Sequence, residues 1–397
     1  MKADWTFDAV VVGAGPAGSV AAYEIARAGF AVLLLEKHDR IGVPVCCAEG
    51  ITTEGLTRVV PLDPQWVACP ISEIMLAGPG GQTVCFHHPA AGFMLRRSIF
   101  DRALAERAEN AGATVWTKTE AVGLGSTNGR IFDRVIACRE GDTIRIGCRI
   151  VIGCDGMESL VGRWAGLDTL VTPDNMDTAA QYLLGGLRDI VLGRTEFHFS
   201  AGLTPGGYAW VFPKSADTAN VGLGFAPTLG NGRNAIARLD RFVAQRFRDG
   251  QVLERTGGGI PAFRGRKLML SRNVLLAGDA ARLLDSFTGA GIANALLSGK
   301  FAGQTAAEYL SENEPKPSTL RMYPDRFMKI KGRELRYSRL ARQIFMHMTD
   351  TDLEDVLALL NPMFDGRTIH AINGTEIIAH ILRSRPRLLA LARHLIW

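Results

Sequence analysis

A glycine-rich turn near the start of the chain carries the clearest chemistry in the sequence. The run Ala9–Val12 predicts a buried strand, and it leads directly into Gly13–Gly18, which reads GAGPAG. Gly13 permits a tight turn, Gly15 lets the backbone approach a pyrophosphate, and Gly18 allows a helix to pack closely on the strand. The helix that follows presents free N–H groups and a positive dipole end to that anion. This order predicts binding of a dinucleotide that contains ADP.

An acidic residue completes the motif. Residues 31–35 form a second apolar strand, and Glu36 follows it, where a carboxylate can accept hydrogen bonds from both ribose hydroxyls of the adenosine half. The alternative is a tight turn in an ordinary βαβ unit. Strand, glycines, helix, strand and acid all fall at the expected spacing within about 30 residues, which favours the dinucleotide.

A loop rich in Gly and Pro, residues 41–50, comes next and contains the adjacent cysteines Cys46 and Cys47. Its position just beyond Glu36 lets it pass beside the ring end of a bound cofactor. The chain has 7 cysteines, and the other five are scattered. No metal-ligand spacing is present, so we predict reduced cysteines, a reducing compartment and no metal site.

An aromatic segment stands within residues 175–265, which alternate like strands and show little helical periodicity. Tyr208, Trp210 and Phe212 lie two residues apart, so they share one face of a strand. We interpret the block as an antiparallel sheet that forms the wall of a substrate pocket. The alternative is that these side chains are core packing of that sheet.

Two later segments return to the pattern of buried strands that end in polar turns. Residues 150–156 form a buried strand that ends in the turn Asp155-Gly156, and aspartate is a residue type that often orders a turn. Residues 273–282 form a strand that ends in Gly278-Asp279, and residues 288–292 open an Ala-rich helix. Glycines at that helix start would present N–H groups to an anion or a polarised carbonyl.

Length and composition restrict the classes of protein. A chain of 397 residues predicts two or three substructures, and 47% hydrophobic residues with 21% charged residues indicate a globular protein. The net charge of +5 is mild, and no basic tract is interleaved with aromatics, which excludes nucleic acid as a partner. Neither a bilayer-spanning apolar run nor a signal peptide is visible, so we expect a cytoplasmic protein.

The end of the chain mixes apolar side chains with arginines. Residues 375–397 have the composition of a basic amphipathic helix, interrupted by Pro386. Such a helix can lie on an anionic lipid surface. We therefore expect contact with the cytoplasmic face of a membrane. The alternative is a helix packed on the domain with its basic face in water.

Three motifs stand in one order along the chain: the dinucleotide turn, residues 154–156 and residues 278–282. This set resembles the FAD-dependent flavoproteins of the p-hydroxybenzoate hydroxylase fold. Within them it is most similar to the geranylgeranyl reductase family, especially the archaeal digeranylgeranylglycerophospholipid reductases. The likeness is most specific at residues 44–50, 208–213 and 278–291. The helical tail resembles the family in texture only.

The resemblance implies a mixed α/β (α+β) fold. A Rossmann-like FAD-binding domain is interleaved with an antiparallel β-sheet substrate domain, and C-terminal helices follow. The implied FAD-binding domain comprises residues 1–70, 95–170 and 270–320. The substrate domain comprises residues 71–94 and 171–269, and the helical region residues 321–397.

The resemblance also implies which residues meet FAD. Arg97 would face the pyrophosphate region, Asp279 would bind the ribityl and phosphate side, and residues 289–292 would lie against the pyrimidine edge of the flavin. The full set of implied cofactor contacts is Gly13, Gly15, Ala17, Gly18, Glu36, Lys37, Cys47, Ala48, Arg97, Asp155, Gly278, Asp279, Gly289, Gly291 and Ile292.

The implied reaction is saturation of C=C bonds in geranylgeranyl chains. An isolated trisubstituted alkene is not electrophilic, so an acid must protonate one carbon while hydride from reduced flavin reaches the other. The site must be apolar and poor in water. Cys47 is a candidate acid because it matches the family's cysteine; Glu49, Tyr208 and the reduced flavin itself are alternatives. Tyr208 and Trp210 are further catalytic candidates, since aromatic faces stabilise developing positive charge, and with Phe212 they are candidate substrate contacts.

Other functions remain open on the sequence alone. A flavin-dependent monooxygenase of the same fold, acting on an aromatic or alkene, is the first alternative, and a flavin-binding scaffold without turnover is another. The motifs do not separate archaeal lipids from quinone tails or chlorophyll side chains. The expected partners are a prenyl lipid and an electron donor, either ferredoxin or a reduced nicotinamide.

Overall fold

The computed structural model describes residues 3–230 and 234–370, together with residues 377, 380, 381, 383 and 384. The strands described are, in chain order, β1 (Trp5–Thr6), β2 (Ala9–Val12), β3 (Val32–Leu35), β4 (Gly50–Thr52), β5 (Val67–Ala77), β6 (Thr83–Leu95), β7 (Thr114–Trp116), β8 (Thr119–Gly125), β9 (Arg134–Arg139), β10 (Asp142–Gly147), β11 (Ile150–Gly153), β12 (Met176–Gly185), β13 (Arg194–His198), β14 (Tyr208–Pro213), β15 (Ala219–Phe225), β16 (Gln251–Pro261), β17 (Leu270–Ser271) and β18 (Val274–Leu276). The helices described are α1 (Pro16–Ala26), α2 (Thr53–Thr57), α3 (Arg97–Asn110), α4 (Leu160–Trp164), α5 (Ala235–Arg246), α6 (Ile292–Ser311), α7 (Pro317–Phe345) and α8 (Asp350–Phe364).

A six-stranded sheet in the order β17-β18-β11-β2-β3-β7 carries the dinucleotide motif. Its neighbours run parallel except for β17 and β18. Strands β2, β3 and β11 consist of short apolar runs in which every residue is buried, as expected for a parallel sheet covered on both faces. Helix α1 follows β2 after a turn of three residues, and it packs against α6 and α3. The Rossmann-like domain predicted from the sequence is confirmed.

An eight-stranded sheet in the order β16-β12-β15-β14-β13-β5-β6-β4 forms the second layer. Its neighbours are antiparallel apart from β13 and β5. Its strands come from two separate parts of the chain, on either side of α3 and β11, so the interleaving predicted from the sequence is confirmed. β4 and the first residues of β5 precede residue 71 yet pair within this sheet. The predicted domain boundary at residue 70 therefore does not coincide with an edge of the sheet.

One helix interrupts the region that the sequence predicted to be strands. Helix α5 lies inside residues 175–265, and its Leu239 and Phe242 are buried against β12 and β15. The prediction of little helical structure is wrong there. Its apolar residues Ile236, Leu239, Phe242 and Val243 do recur at helical spacing, so the signal was present over these 12 residues and was outweighed by the strands on either side.

The remaining elements lie outside these two sheets. Strands β1, β10, β9 and β8 form a four-stranded sheet in that order, and α7 and α8 follow α6 along the chain. None of the helices described combines the length and hydropathy that a bilayer-spanning helix needs. Most of the predicted membrane-contacting segment, residues 375–397, lies outside the described residues.

Candidate active site

Two cavities meet at the glycine-rich turn. The smaller, about 220 Å³, is lined by Gly13, Glu36 and Asp155. The larger, about 580 Å³, lies between the six-stranded and eight-stranded sheets. Gly15 lines both. The turn therefore stands between a small compartment at the carboxyl ends of the parallel strands and a larger one under the second sheet.

The three glycines of the motif have three different environments. Gly13 has φ +98°, and a Cβ there would lie 2.4 Å from the carbonyl oxygen of Cys154. A Cβ on Gly18 would lie 1.9 Å from the carbonyl oxygen of Gly13, where helix α1 crosses the turn. A Cβ on Gly15 would meet nothing within 4 Å. Gly15 is thus the glycine that leaves open space at the cavity, where a pyrophosphate can approach the backbone.

The smaller cavity offers polar groups that suit an adenosine half. The Glu36 carboxylate accepts hydrogen bonds from the backbone N–H groups of Ala14 and His38, each at 3.0 Å. Asp155 accepts one from the Val161 backbone N–H at 2.9 Å through Oδ2, whereas its buried Oδ1 has no partner among the described residues. A buried orphan acceptor is costly, and a ligand hydroxyl donor would satisfy it. Burial raises the pKa of the Asp155 carboxyl.

The floor of the larger cavity is built at the start of α6. Residues 289–292 line the cavity, and the helix begins at Ile292. The first N–H groups of a helix have no partner within it, so they and the helix dipole favour negative charge at this point. Asp279 lies beside them; burial raises the pKa of its carboxyl, and the charges of Arg97 and Arg282 oppose that shift.

Arg97 begins α3 and lines the same cavity. Its Nε and Nη2 atoms each donate to a carboxylate oxygen of Asp101 at 2.7 Å. This two-pronged pair fixes the guanidinium plane, as expected for arginine with a carboxylate. The position therefore supplies an oriented positive charge to the cavity, which suits a phosphate group. Together, these features fit FAD: an ADP half in the smaller cavity and a flavin in the larger.

The loop that holds Cys47 is tied to the eight-stranded sheet. Gln181 on β12 donates from Nε2 to the Cys47 carbonyl oxygen at 3.0 Å and accepts at Oε1 from Trp210 Nε1 at 3.0 Å. Asn220 on β15 donates to the Ala48 carbonyl oxygen at 3.3 Å. These two amides set the loop's position against the aromatic wall. Sequence reasoning missed both, although polar residues inside apolar strands were a usable signal.

Glu49 anchors the same loop through hydrogen bonds to its carboxylate. It has φ +72° and a buried side chain. Its carboxylate accepts hydrogen bonds from Asn220 Nδ2 at 2.8 Å, from the Arg97 backbone N–H at 2.9 Å and from the Lys214 ammonium. Both carboxylate oxygens of Glu49 are therefore occupied as hydrogen-bond acceptors, which ties the loop to β15, α3 and Lys214. Lys214 was also missed from the sequence.

The half-buried Cys47 lines the larger cavity. Its Sγ accepts a hydrogen bond from the Glu49 backbone N–H at 3.2 Å. Burial raises the pKa of the Cys47 thiol above its ordinary value, although the nearby Arg97 charge opposes the shift. The group therefore stays protonated at neutral pH. No described acceptor takes its proton.

Three aromatic side chains form one wall of the larger cavity. Tyr208 and Trp210 have ring centroids 6.0 Å apart, and Trp210 and Phe212 are stacked at 6.2 Å. They lie on one face of β14, as the sequence predicted. The Tyr208 hydroxyl donates to the carbonyl oxygen of Thr288, and burial raises the pKa of Tyr208. Its proton is thus committed to tying the wall to the loop before α6.

The predicted site residues divide between the two cavities. Gly18 lines neither and packs helix on strand, and Lys37 in the smaller cavity forms an ion pair with Glu158 at 3.4 Å. The predicted residues in the smaller cavity are Gly13, Gly15, Glu36, Lys37 and Asp155. Those in the larger cavity are Gly15, Ala17, Cys47, Ala48, Arg97, Tyr208, Trp210, Phe212, Gly278, Asp279, Gly289, Gly291 and Ile292.

Replacing Lys214 tests the anchor of the Cys47 loop. Lys214→Met leaves the buried Glu49 carboxylate without its counter-charge, so we expect the free energy of unfolding to fall by about 3 kcal/mol. Denaturant titration followed by circular dichroism measures this change. Lys118→Met is the matched control, since it breaks only an exposed ion pair with Asp39 and should change stability by less than about 1 kcal/mol. Equal effects of the two variants would contradict the anchoring role.

The chain is similar to known proteins over almost its whole length. Residues 175–260 match the geranylgeranyl reductase catalytic domain, and residues 11–73 match an NAD(P)-binding Rossmann-like domain. Digeranylgeranylglycerophospholipid reductase 1 of Methanococcoides burtonii is 36% identical over 392 residues, which cover 96% of this chain and 93% of that protein.

Solved structures agree with these matches. A geranylgeranyl bacteriochlorophyll reductase-like protein from Thermoplasma acidophilum is 30% identical, has a TM-score of 0.91 and covers 99% of this chain and 100% of its own. The flavin-dependent brominase Bmp2, as a triple mutant, has a TM-score of 0.72 at 18% identity, with 96% of this chain and 100% of its own covered. The brominase therefore shares the fold alone.

Proposed function

The chain belongs to the geranylgeranyl reductase family, and from that premise we propose that it is an FAD-dependent oxidoreductase that saturates C=C bonds of geranylgeranyl chains in archaeal-type membrane glycerolipid precursors. The substrate class is taken from the relatives named digeranylgeranylglycerophospholipid reductase. The observation that carries the proposal is the larger cavity. One cavity is lined by the dinucleotide turn, by the three aromatic side chains and by Cys47.

The larger cavity suits an apolar chain. Tyr208, Trp210 and Phe212 line one side, and Ile71, Ile74, Phe93 and Met94 contribute further apolar surface. Such a lining excludes water, which protects a developing positive charge from capture by solvent. The ring faces of the wall add electrostatic stabilisation of that charge.

FAD, when bound, supplies hydride. The chain supplies the proton and the orientation. Cys47 is the acid that we propose, because its thiol is protonated and it lines the cavity. The Glu49 carboxylate accepts hydrogen bonds from three donors, and the Tyr208 hydroxyl donates a hydrogen bond to the Thr288 carbonyl oxygen. Both groups are therefore already engaged. The N-terminus of α6, which lines the larger cavity, would favour negative charge on a flavin held there.

A flavin-dependent monooxygenase is the competing function on this fold. The family match at residues 175–260 covers β12 to β16 of the eight-stranded sheet. Function depends on such site-bearing parts and not on the shared fold. That match favours the reductase. We further propose a ferredoxin or a reduced nicotinamide as electron donor, and contact with a membrane where the substrate resides.

An anaerobic assay separates these functions. The purified protein is reduced with dithionite and mixed with a geranylgeranyl glycerolipid, and flavin absorbance and product mass are followed together. We expect the flavin to reoxidise while the lipid gains two hydrogens for each double bond. A flavin that stays reduced until oxygen enters, followed by an oxygenated product, would replace the reductase with the monooxygenase. Substituting ferredoxin or a reduced nicotinamide for dithionite identifies the donor.

A further inference from the structure

Helix α7 presents an exposed face that carries large apolar side chains. Met322 and Ile330 are each 42% exposed, Tyr337 is 40% exposed and Leu340 is 37% exposed. At 3.6 residues per turn these positions fall within about 80° of one another around the helix, along a stripe of about 27 Å. Apolar side chains grouped in this way on a surface indicate a binding face. We call these four residues the apolar stripe of α7.

The same face carries uncompensated positive charge. The only acidic residues of α7 are Asp325, which pairs with Arg266 at 2.8 Å, and Glu334, which pairs with Lys331 at 2.7 Å. Within the described part of the chain no carboxylate forms an ion pair with the exposed cations beside the apolar stripe, which are Lys329, Arg333, Arg336 and Arg339. A helix with cations and apolar side chains on its exposed face is suited to lie in an anionic bilayer surface.

Aromatic contacts join the end of α7 to the larger cavity. Phe345 packs edge-on against Phe287 at 5.4 Å and against Phe199 at 5.8 Å. Phe199 in turn contacts Tyr208, which lines the cavity, at 6.1 Å. Ser338 on α7 accepts a hydrogen bond from the Phe287 backbone N–H at 2.9 Å. Phe287 itself is 39% exposed and directly precedes Thr288, which lines the cavity, so an exposed apolar side chain stands beside the cavity lining.

We propose that the apolar stripe of α7 and its neighbouring cations, together with Phe287, bind an anionic bilayer surface and hold the larger cavity against it. The apolar side chains enter the boundary between headgroups and acyl chains, and the cations contact lipid phosphates. A prenyl chain then passes from the bilayer into the cavity over apolar surface. This last step rests on the proposed function; the binding does not. The residues of this face belong to α7, with Phe287 beside it, and not to the basic segment at residues 375–397 of the sequence.

Vesicle flotation of the full-length, flavin-loaded protein tests the proposal. We expect binding to vesicles of phosphatidylglycerol and phosphatidylcholine, little binding to pure phosphatidylcholine, and release as salt rises. Each cation near an anionic surface changes partitioning about fivefold. The triple variant Lys329→Gln/Arg333→Gln/Arg336→Gln should therefore bind about 100-fold more weakly. Ile330→Ser/Leu340→Ser should also weaken binding, without changing its response to salt.

A matched control removes the same charge elsewhere. Arg130, Arg188 and Arg248 are exposed on other parts of the chain, and their replacement by Gln should leave vesicle binding within about fivefold of the wild type, the effect of a single well-placed cation. Equal losses in the two triple variants would overturn the proposal. So would wild-type binding by the α7 variant combined with its loss in Arg383→Gln/Arg387→Gln/Arg393→Gln. Binding of an acidic ferredoxin to this face, with no flotation, would assign the face to the electron donor and overturn the proposal.

Activity on a detergent-dispersed prenyl substrate separates the two proposals. The α7 variants should reduce that substrate as the wild type does, because these side chains do not line the cavity. A protein that floats with vesicles but reduces no prenyl chain contradicts the proposed function alone. A protein that reduces the dispersed substrate but never floats contradicts only the membrane face.

Discussion

Replacing Cys47 with alanine is expected to lower the rate of double-bond reduction by at least about 100-fold, the usual effect of removing a positioned acid. The thiol lines the larger cavity, and burial raises its pKa, so it holds a proton at neutral pH. Single-turnover reoxidation of the reduced flavin by prenyl lipid, followed anaerobically, measures the change. The flavin content of the variant should match that of the wild type, which shows that the site is intact.

Tyr208→Phe is the discriminating variant. It removes one hydrogen bond to Thr288, worth about 1 kcal/mol, so turnover should fall by no more than about tenfold. The pH profile gives a second test. Burial raises the pKa of the Cys47 thiol above its ordinary value of 9.0, so the acid form persists through neutral and mildly alkaline pH. The rate should therefore stay level through neutral pH and fall from this group only in the alkaline range. If the Cys47→Ala variant reduces lipid at the wild-type rate, Cys47 is not the acid, and the proton donor is the cofactor or water.

Gly15→Val is expected to give a folded protein that has lost most of its affinity for FAD. A Cβ at this position meets no protein atom within 4 Å, and the backbone at φ −71° and ψ −176° accepts a branched side chain. The added methyl groups instead occupy the space at which the two cavities meet. Overpacking of this kind is unfavourable by about 1–3 kcal/mol, or about 5- to 150-fold in affinity. Flavin absorbance of the purified protein and titration of the apoprotein with FAD measure the loss.

The matched control places the same side chain at a glycine remote from the cavities. A Cβ on Gly123 in β8 meets only Ile136, at 3.7 Å, so Gly123→Val should keep both the fold and the flavin. Circular dichroism establishes that both variants are folded. A yellow Gly15→Val protein with wild-type affinity would show that the pyrophosphate does not pass this glycine.

Local chemistry made the dinucleotide site predictable from the sequence. The turn at Gly13–Gly18 is a contiguous motif: Gly13 has a positive φ, Gly18 packs directly on the Gly13 carbonyl, and Glu36 follows one strand later. The alternation of Tyr208, Trp210 and Phe212 likewise placed them on one face without knowledge of the sheet. Such features depend on backbone geometry over short distances, so a single sequence carries them.

Long-range pairing was not predictable in the same way. The sequence did not reveal that β4 joins the eight-stranded sheet, because that pairing joins residue 50 to residue 94. Helix α5 was not predicted, because its 12 residues lie between segments that alternate like strands. Gln181, Lys214 and Asn220 looked like ordinary polar residues until the fold carried them to the Cys47 loop from more than 100 positions away.

The sequence by itself determined the cofactor class, the family and the residue types that could carry the reaction. Only the tertiary structure decided which partners surround the candidate acids, because those partners come from distant segments. The Glu49 carboxylate accepts hydrogen bonds from Lys214, Asn220 and the Arg97 backbone N–H. The Tyr208 hydroxyl donates to the Thr288 carbonyl oxygen, and burial raises the pKa of the Cys47 thiol.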